Sequence, residues 1–134
     1  MNANHEVWFK QFRERAKTLS RHIVLPEGVD DRSLIAAARL IRDGICRLTV
    51  LGHPERILAR GKELGLELKG ITLRDPDTDP GTAALANAYY ESRKHKGMTP
   101  ELALETVRKP LYFGGMRTVS RASSGVMPLC LRDS

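Results

Sequence analysis

Three short apolar runs, Ile23-Val24-Leu25, Leu48-Thr49-Val50-Leu51 and the weaker Ile71-Thr72-Leu73, each lead through a loop into a helix-patterned segment. That alternation constrains the fold more than any other feature of the chain. Such runs are too short for helices and suit strands buried on both faces, as in a parallel sheet. Parallel neighbours need crossover connections, almost always right-handed, and helices supply them on both sides of the sheet. The expected fold class is α/β: a three-layer αβα arrangement with a partial parallel sheet of about three strands flanked by helices.

The punctuation agrees. An Asp at the end of the loop 26–31 caps a helix over 32–43, and Gly44 ends it. Pro54 opens the next helix at its first position, and Gly65 stops it after Leu64. Pro76 and Pro80 make 75–81 a loop, because each disfavours a helical residue before it. Helices over 82–96 and 100–108 follow, then a short helical stretch at 111–116. Between the first two, Gly97 suits the left-handed position past a helix end, Thr99 can cap, and Pro100 sits where a missing N–H costs nothing. Residues 5–19 form an amphipathic helix with Val7, Trp8, Phe9, Phe12, Ala16 and Leu19 near one side. Its expected job is packing, on the domain or on a partner subunit.

Composition excludes several classes. At 41% apolar and 28% charged residues, a 134-residue chain is an ordinary globular domain, or part of one. No apolar run approaches the roughly 18–20 residues of a membrane span, and the N-terminus lacks a signal peptide's apolar core. Cys46 and Cys130 make no disulfide framework, so a reducing cytoplasm is the expected location. The net charge of +6 raises a nucleic-acid reading. Its spread argues against one: residues 1–67 hold 12 Lys/Arg and 9 Asp/Glu, and residues 68–134 hold 10 and 7.

In an open parallel sheet, ligands gather beyond the carboxyl ends of the strands, here the loops 26–31, 52–53 and 74–79. Glu27, Asp30 and Asp31 could hold a metal or act as acid and base, but capping carboxylates read the same way, and capping is favoured. The alternation Asp75, Asp77, Asp79 hints at a calcium loop, yet the required glycine and distal Glu are missing. His5, His22, His53 and His95 lack metal-ligand spacing, and neither a dinucleotide fingerprint nor a P-loop is present. Cys46 reads as a structural thiol. Arg93, Lys94, His95 and Lys96 crowd the last turn before Gly97. Either they answer the negative end of the helix dipole, or Arg93 grips a phosphate; the dipole argues for the first.

The block Arg93-Lys94-His95-Lys96-Gly97-Met98-Thr99 after a Tyr-rich helix stands in further company: Leu25-Pro26-Glu27, Ala36-Ala37-Ala38, Leu51-Gly52, Asp75-Pro76 and Tyr112-Phe113, in that order. Together they resemble the N-terminal region of the phosphate acetyl/butyryl transferase family, over about residues 5–116. The resemblance implies exchange of acyl-CoA and phosphate for acyl phosphate and CoA. It assigns CoA or phosphate binding to Arg93, coenzyme A being a substrate, with no cofactor and no metal. It implies small-molecule partners rather than nucleic acid or membrane, and leaves a homodimer open.

The resemblance fades after Met116. The chain is expected to divide into residues 1–116, the N-terminal part of an acyltransferase domain, and a divergent tail over 117–134. The family's base and carbonyl-stabilising residues lie beyond the matched part, so no catalytic residue is assigned. The expectation is an N-terminal fragment, truncated or frameshifted near codon 116 and catalytically incomplete alone. The competing expectation is a non-catalytic CoA-binding, regulatory or oligomerisation module, such as the transferase-like domain of malic enzymes.

Overall fold

The structure is a computed structural model that describes residues 3–122, with side chains from residue 4 to residue 118. Cys130 and the rest of the expected tail beyond residue 122 lie outside the described residues. The elements run α1 (Ala3–Leu19), β1 (His22–Leu25), α2 (Asp31–Arg42), β2 (Arg47–Leu51), α3 (Pro54–Glu63), β3 (Thr72–Arg74), α4 (Thr82–Arg93), α5 (Pro100–Arg108) and α6 (Pro110–Ala122). The strands form one sheet in the order β1-β2-β3, parallel throughout, with Leu25 opposite Val50 and Leu51 opposite Arg74.

The period of two along β2 sorts the core into two layers. Leu48 and Val50 face Leu34 and Ala37 of α2 and Ile57 of α3. Leu51, from the other face, packs with Ala86 and Tyr89 of α4, Ala103 and Val107 of α5, and Phe113 and Met116 of α6. Helices therefore cover both faces, and the three-layer αβα arrangement with a partial sheet is what the chain adopts. No described helix is long and apolar enough to cross a membrane.

Local chemistry sets the boundaries. Asp30 caps α2, its carboxylate accepting from the backbone N–H of Arg32 at 2.8 Å and of Ser33 at 3.3 Å. Thr99 caps α5 by accepting from Leu102 N–H at 3.2 Å, with Pro100 next in line. Gly97 takes φ +81°, the left-handed position expected of it. Two boundaries differ from expectation. α4 stops at Arg93 and Lys94–Lys96 tighten into a 3-10 turn, the form that often ends a helix. α6 begins at Pro110 and continues to Ala122, past the short stretch expected at 111–116.

The apolar side of α1 is largely exposed, although Phe9, Phe12 and Ala16 border a cleft shared with α2. Val7, Trp8, Phe9 and Phe12 are each more than half exposed, and the Trp8 and Phe12 rings touch only at 5.6 Å between centroids.

Candidate functional site

The loops at the three strand tips converge as expected. With the α5–α6 junction at Arg108 and Pro110, they line one crevice of about 740 Å³. Its shape depends on close packing of the Pro26–Asp30 loop against β2. Gly28 N–H donates to Leu51 O at 3.1 Å, and a Cβ at Gly28 would stand 2.3 Å from that same oxygen. Only glycine lets the first loop lie so close to the second strand.

Of the carboxylates considered for chemistry, Asp30 and Asp31 are occupied structurally. Asp30 caps α2 and also accepts from Arg32 Nη2 at 2.9 Å; chiefly the Arg32 hydrogen bond lowers its carboxyl to about 2. Asp31 accepts a fork from Arg60, with Nε and Nη2 both at 2.7 Å, which ties the start of α2 to α3. That pair holds the Asp31 carboxyl below its usual range. Glu27 is exposed at the crevice rim.

The third loop divides its acids. Asp79, only 5% exposed, accepts from Arg74 Nη1 and from Gly81 N–H, with Arg117 at 3.7 Å. Burial pushes its carboxyl up, but the Arg74 and Gly81 hydrogen bonds and both guanidinium charges outweigh burial, so it lies below the ordinary value. Arg74 and Arg117 also line a cavity of about 100 Å³ between the sheet and α6. With Asp79 between them, they serve to fasten α6. Asp75 instead turns to β2's tip: its buried carboxylate accepts from His53 Nδ1–H at 2.7 Å. Asp77 stands 3.9 Å from the imidazole's other nitrogen.

Spacing rules missed this grouping, because His53 and Asp75 are 22 positions apart and meet only when β2 and β3 pair. The one available signal was that each lies within two residues of the end of a parallel strand. Cys46 is half-buried and burial raises its thiol, as a structural cysteine requires.

Arg93 lies elsewhere. Thr82 Oγ1 donates to Pro76 O at 2.7 Å, so α4 starts beside the tip of β3, and Arg108 returns α5 to the crevice. The turn between them is the distal end of this hairpin. Eleven residues of helix place Arg93 about 16 Å along the axis from Thr82. Its guanidinium carbon sits 5.8 Å from the centroid of the Tyr89 ring, within the range of a cation–π contact. Lys94 pairs with Glu91 at 2.6 Å, whereas His95 and Lys96 are exposed. The structure thus does not bring Arg93 together with the strand-tip residues.

The sequence matches the family described as phosphate acetyl/butaryl transferase over residues 7–127. The chain belongs to that family. A phosphate acetyltransferase of Clostridium acetobutylicum is 41% identical over 103 residues, covering 77% of this chain and 31% of that protein. One from Corynebacterium glutamicum is 41% identical over 114 residues, covering 85% and 35%. Among solved structures, a phosphotransacetylase from Streptococcus pyogenes superposes with a TM-score of 0.79 at 30% identity, over 92% of this chain and 36% of that one. The chain spans about a third of the length of these members of the phosphate acetyl/butaryl transferase family.

Proposed function

We propose that this chain carries the N-terminal, CoA-holding part of a cytoplasmic phosphate acyltransferase and completes no turnover by itself. The supporting observation is a family match over residues 7–127, a span that takes in both core layers and the block Arg93–Gly97. In the reaction, CoA thiol attacks the carbonyl of an acyl phosphate, and phosphate leaves as the thioester forms. That step needs a base for the thiol, donors for the carbonyl oxygen and cations for phosphate. Arg93 is proposed for the last role, as a contact to a CoA phosphate. Its planar fork matches phosphate oxygens, and the Tyr89 ring beneath limits its freedom. The remaining roles are assigned to no residue of this chain, and coenzyme A enters as substrate, with no cofactor.

The test is thioester formation from acetyl phosphate and CoA, on this chain beside a version extended with a family C-terminal portion. Thioester from the extended protein alone is the expected result; turnover by the 134-residue chain overturns the incompleteness. CoA binding by this chain should fall at least tenfold in Arg93→Ala, and unchanged binding removes Arg93 from the site.

A second reading, a non-catalytic oligomerisation module, is favoured by one observation: the aromatic face of α1, with Trp8, Phe9 and Phe12 about 60% exposed. Stable dimers without CoA affinity would decide for it.

A further inference from the structure

We propose that His53 and Asp77, backed by Asp75, form a binding site for a first-row divalent cation of the cobalt-to-zinc kind. It stands independently of the acyltransferase reading. His53 is the residue before Pro54 at the start of α3, where a side chain would ordinarily cap, yet its imidazole makes no capping bond. It is turned instead onto Asp75, whose side chain is 9% exposed and bonded through both oxygens. Oδ2 accepts from the imidazole at 2.7 Å and Oδ1 from Asp77 N–H at 3.0 Å. A carboxylate oxygen accepts, so the ring nitrogen facing Asp75 is the Nδ1–H donor, and Nε2 is the nitrogen turned toward Asp77. A carboxylate that fixes tautomer and ring orientation in this way is the usual support behind a metal-ligating histidine.

From Nε2 to Asp77 Oδ2 is 3.9 Å. That is too long for a hydrogen bond. Two ligand atoms each about 2.0–2.2 Å from a shared ion lie at most about 4.4 Å apart, so the gap accommodates one. Asp77 is half exposed and can swing inward to close the angle. One donor atom from each of the three residues falls within 4.8 Å of the others. An imidazole nitrogen with a carboxylate oxygen suits cobalt, nickel or zinc better than magnesium or calcium, and water fills the remaining positions.

Charge decides between a cation and an anion here. Arg32, Arg56 and Arg108 line the crevice, but Arg32 is held by Asp30 at 2.9 Å. Two guanidiniums remain against Glu27, Asp75 and Asp77, so the crevice favours a cation.

The experiment titrates Zn²⁺ and Ni²⁺ into the full chain with Cys46→Ser and Cys130→Ser, which removes competing thiolates. Calorimetry should give one saturable site, and backbone amide resonances of residues 52–54 and 75–77 should shift with it. His53→Gln should weaken binding at least tenfold and Asp77→Asn several-fold. Asp75→Asn should cost about 10–100-fold through the misoriented ring. If the buried Asp75→Asn variant fails to fold, the two half-exposed positions still carry the test. No saturation up to millimolar metal, affinity indifferent to His53→Gln, or shifts centred on His5 or His95 would overturn the proposal.

Discussion

Replacing Gly28 by alanine tests whether the strand-tip crevice owes its form to one backbone contact. The added Cβ would lie 2.3 Å from Leu51 O, 2.7 Å from Ile57 Cδ1 and 3.0 Å from Val50 Cγ1. The isoleucine methyl can rotate away, but the carbonyl oxygen belongs to β2 and cannot. Relief requires the Pro26–Asp30 loop to withdraw by about 1 Å, since ordinary Cβ contacts begin near 3.4 Å. Withdrawal stretches the 3.1 Å hydrogen bond from Gly28 N–H to Leu51 O. Overpacking costs about 1–3 kcal/mol, and the weakened bond adds about 1 kcal/mol. A loss of about 2–4 kcal/mol lowers Tm by roughly 10 °C in a chain of this size. Gly97→Ala is the control: its φ is +81° but nothing lies within 4 Å of a Cβ there, so only backbone strain of about 1 kcal/mol applies. Urea unfolding of both variants measures the difference. If Gly28→Ala costs no more than Gly97→Ala, the argument that this loop is locked sterically to β2 is refuted.

Phe113→Ala, at a fully buried side chain joining α6 to Leu51, should destabilise by about 3–5 kcal/mol in the same assay. Asp79→Asn should cost about 2–3 kcal/mol, because it leaves the half-buried Arg74 and Arg117 without their shared carboxylate. The folded-state carboxyls of Asp79 and Asp30 lie below the unfolded value of 3.8, the latter at about 2. Their contribution is therefore complete above about pH 4 and lost as pH falls toward 2; acid unfolding followed by circular dichroism should show it, with a shallower slope in Asp79→Asn. Among the described strands, β1 and β3 each have one neighbour, leaving two open edges. Sedimentation should accordingly reveal concentration-dependent association, and a monomeric, sharply two-state melt would contradict it.

The architecture was legible because its signals are local. Pro54, Gly97, Thr99 and the Asp before α2 each act on backbone within three or four residues, and strand runs of three to four apolar residues separate cleanly from helices. Misreadings fell where tertiary context decides. Nothing within 82–96 marks the change from α-helix to 3-10 turn after Arg93. The apolar stripe of α1 obeys the helical period, yet period says only that a face is apolar, not what covers it. At the crevice, the rule that parallel strands present their carboxyl ends to ligands pointed to the three loops that line it. It could not assign work within them, because Asp75, Asp77 and Asp79 look alike in a row.

Distance resolves that equivalence. Asp79 is taken by Arg74 across the β3–α4 loop, Asp75 by His53 from the neighbouring strand tip, and Asp77 is left half exposed. The same parallel pairing that sets Leu51 opposite Arg74 carries His53, two residues on, alongside the loop that starts at Asp75. Strand register is therefore what separates a structural carboxylate from one that orients an imidazole. Arg93 escapes this logic, since α4 carries it about 16 Å away along its own axis. A ligand held at both places must span that distance, which a nucleotide with a pantetheine arm can do and inorganic phosphate cannot. Competition therefore discriminates: if CoA occupies both ends, the Zn²⁺ affinity of the crevice should change when CoA binds. If it touches Arg93 alone, the two equilibria should be independent.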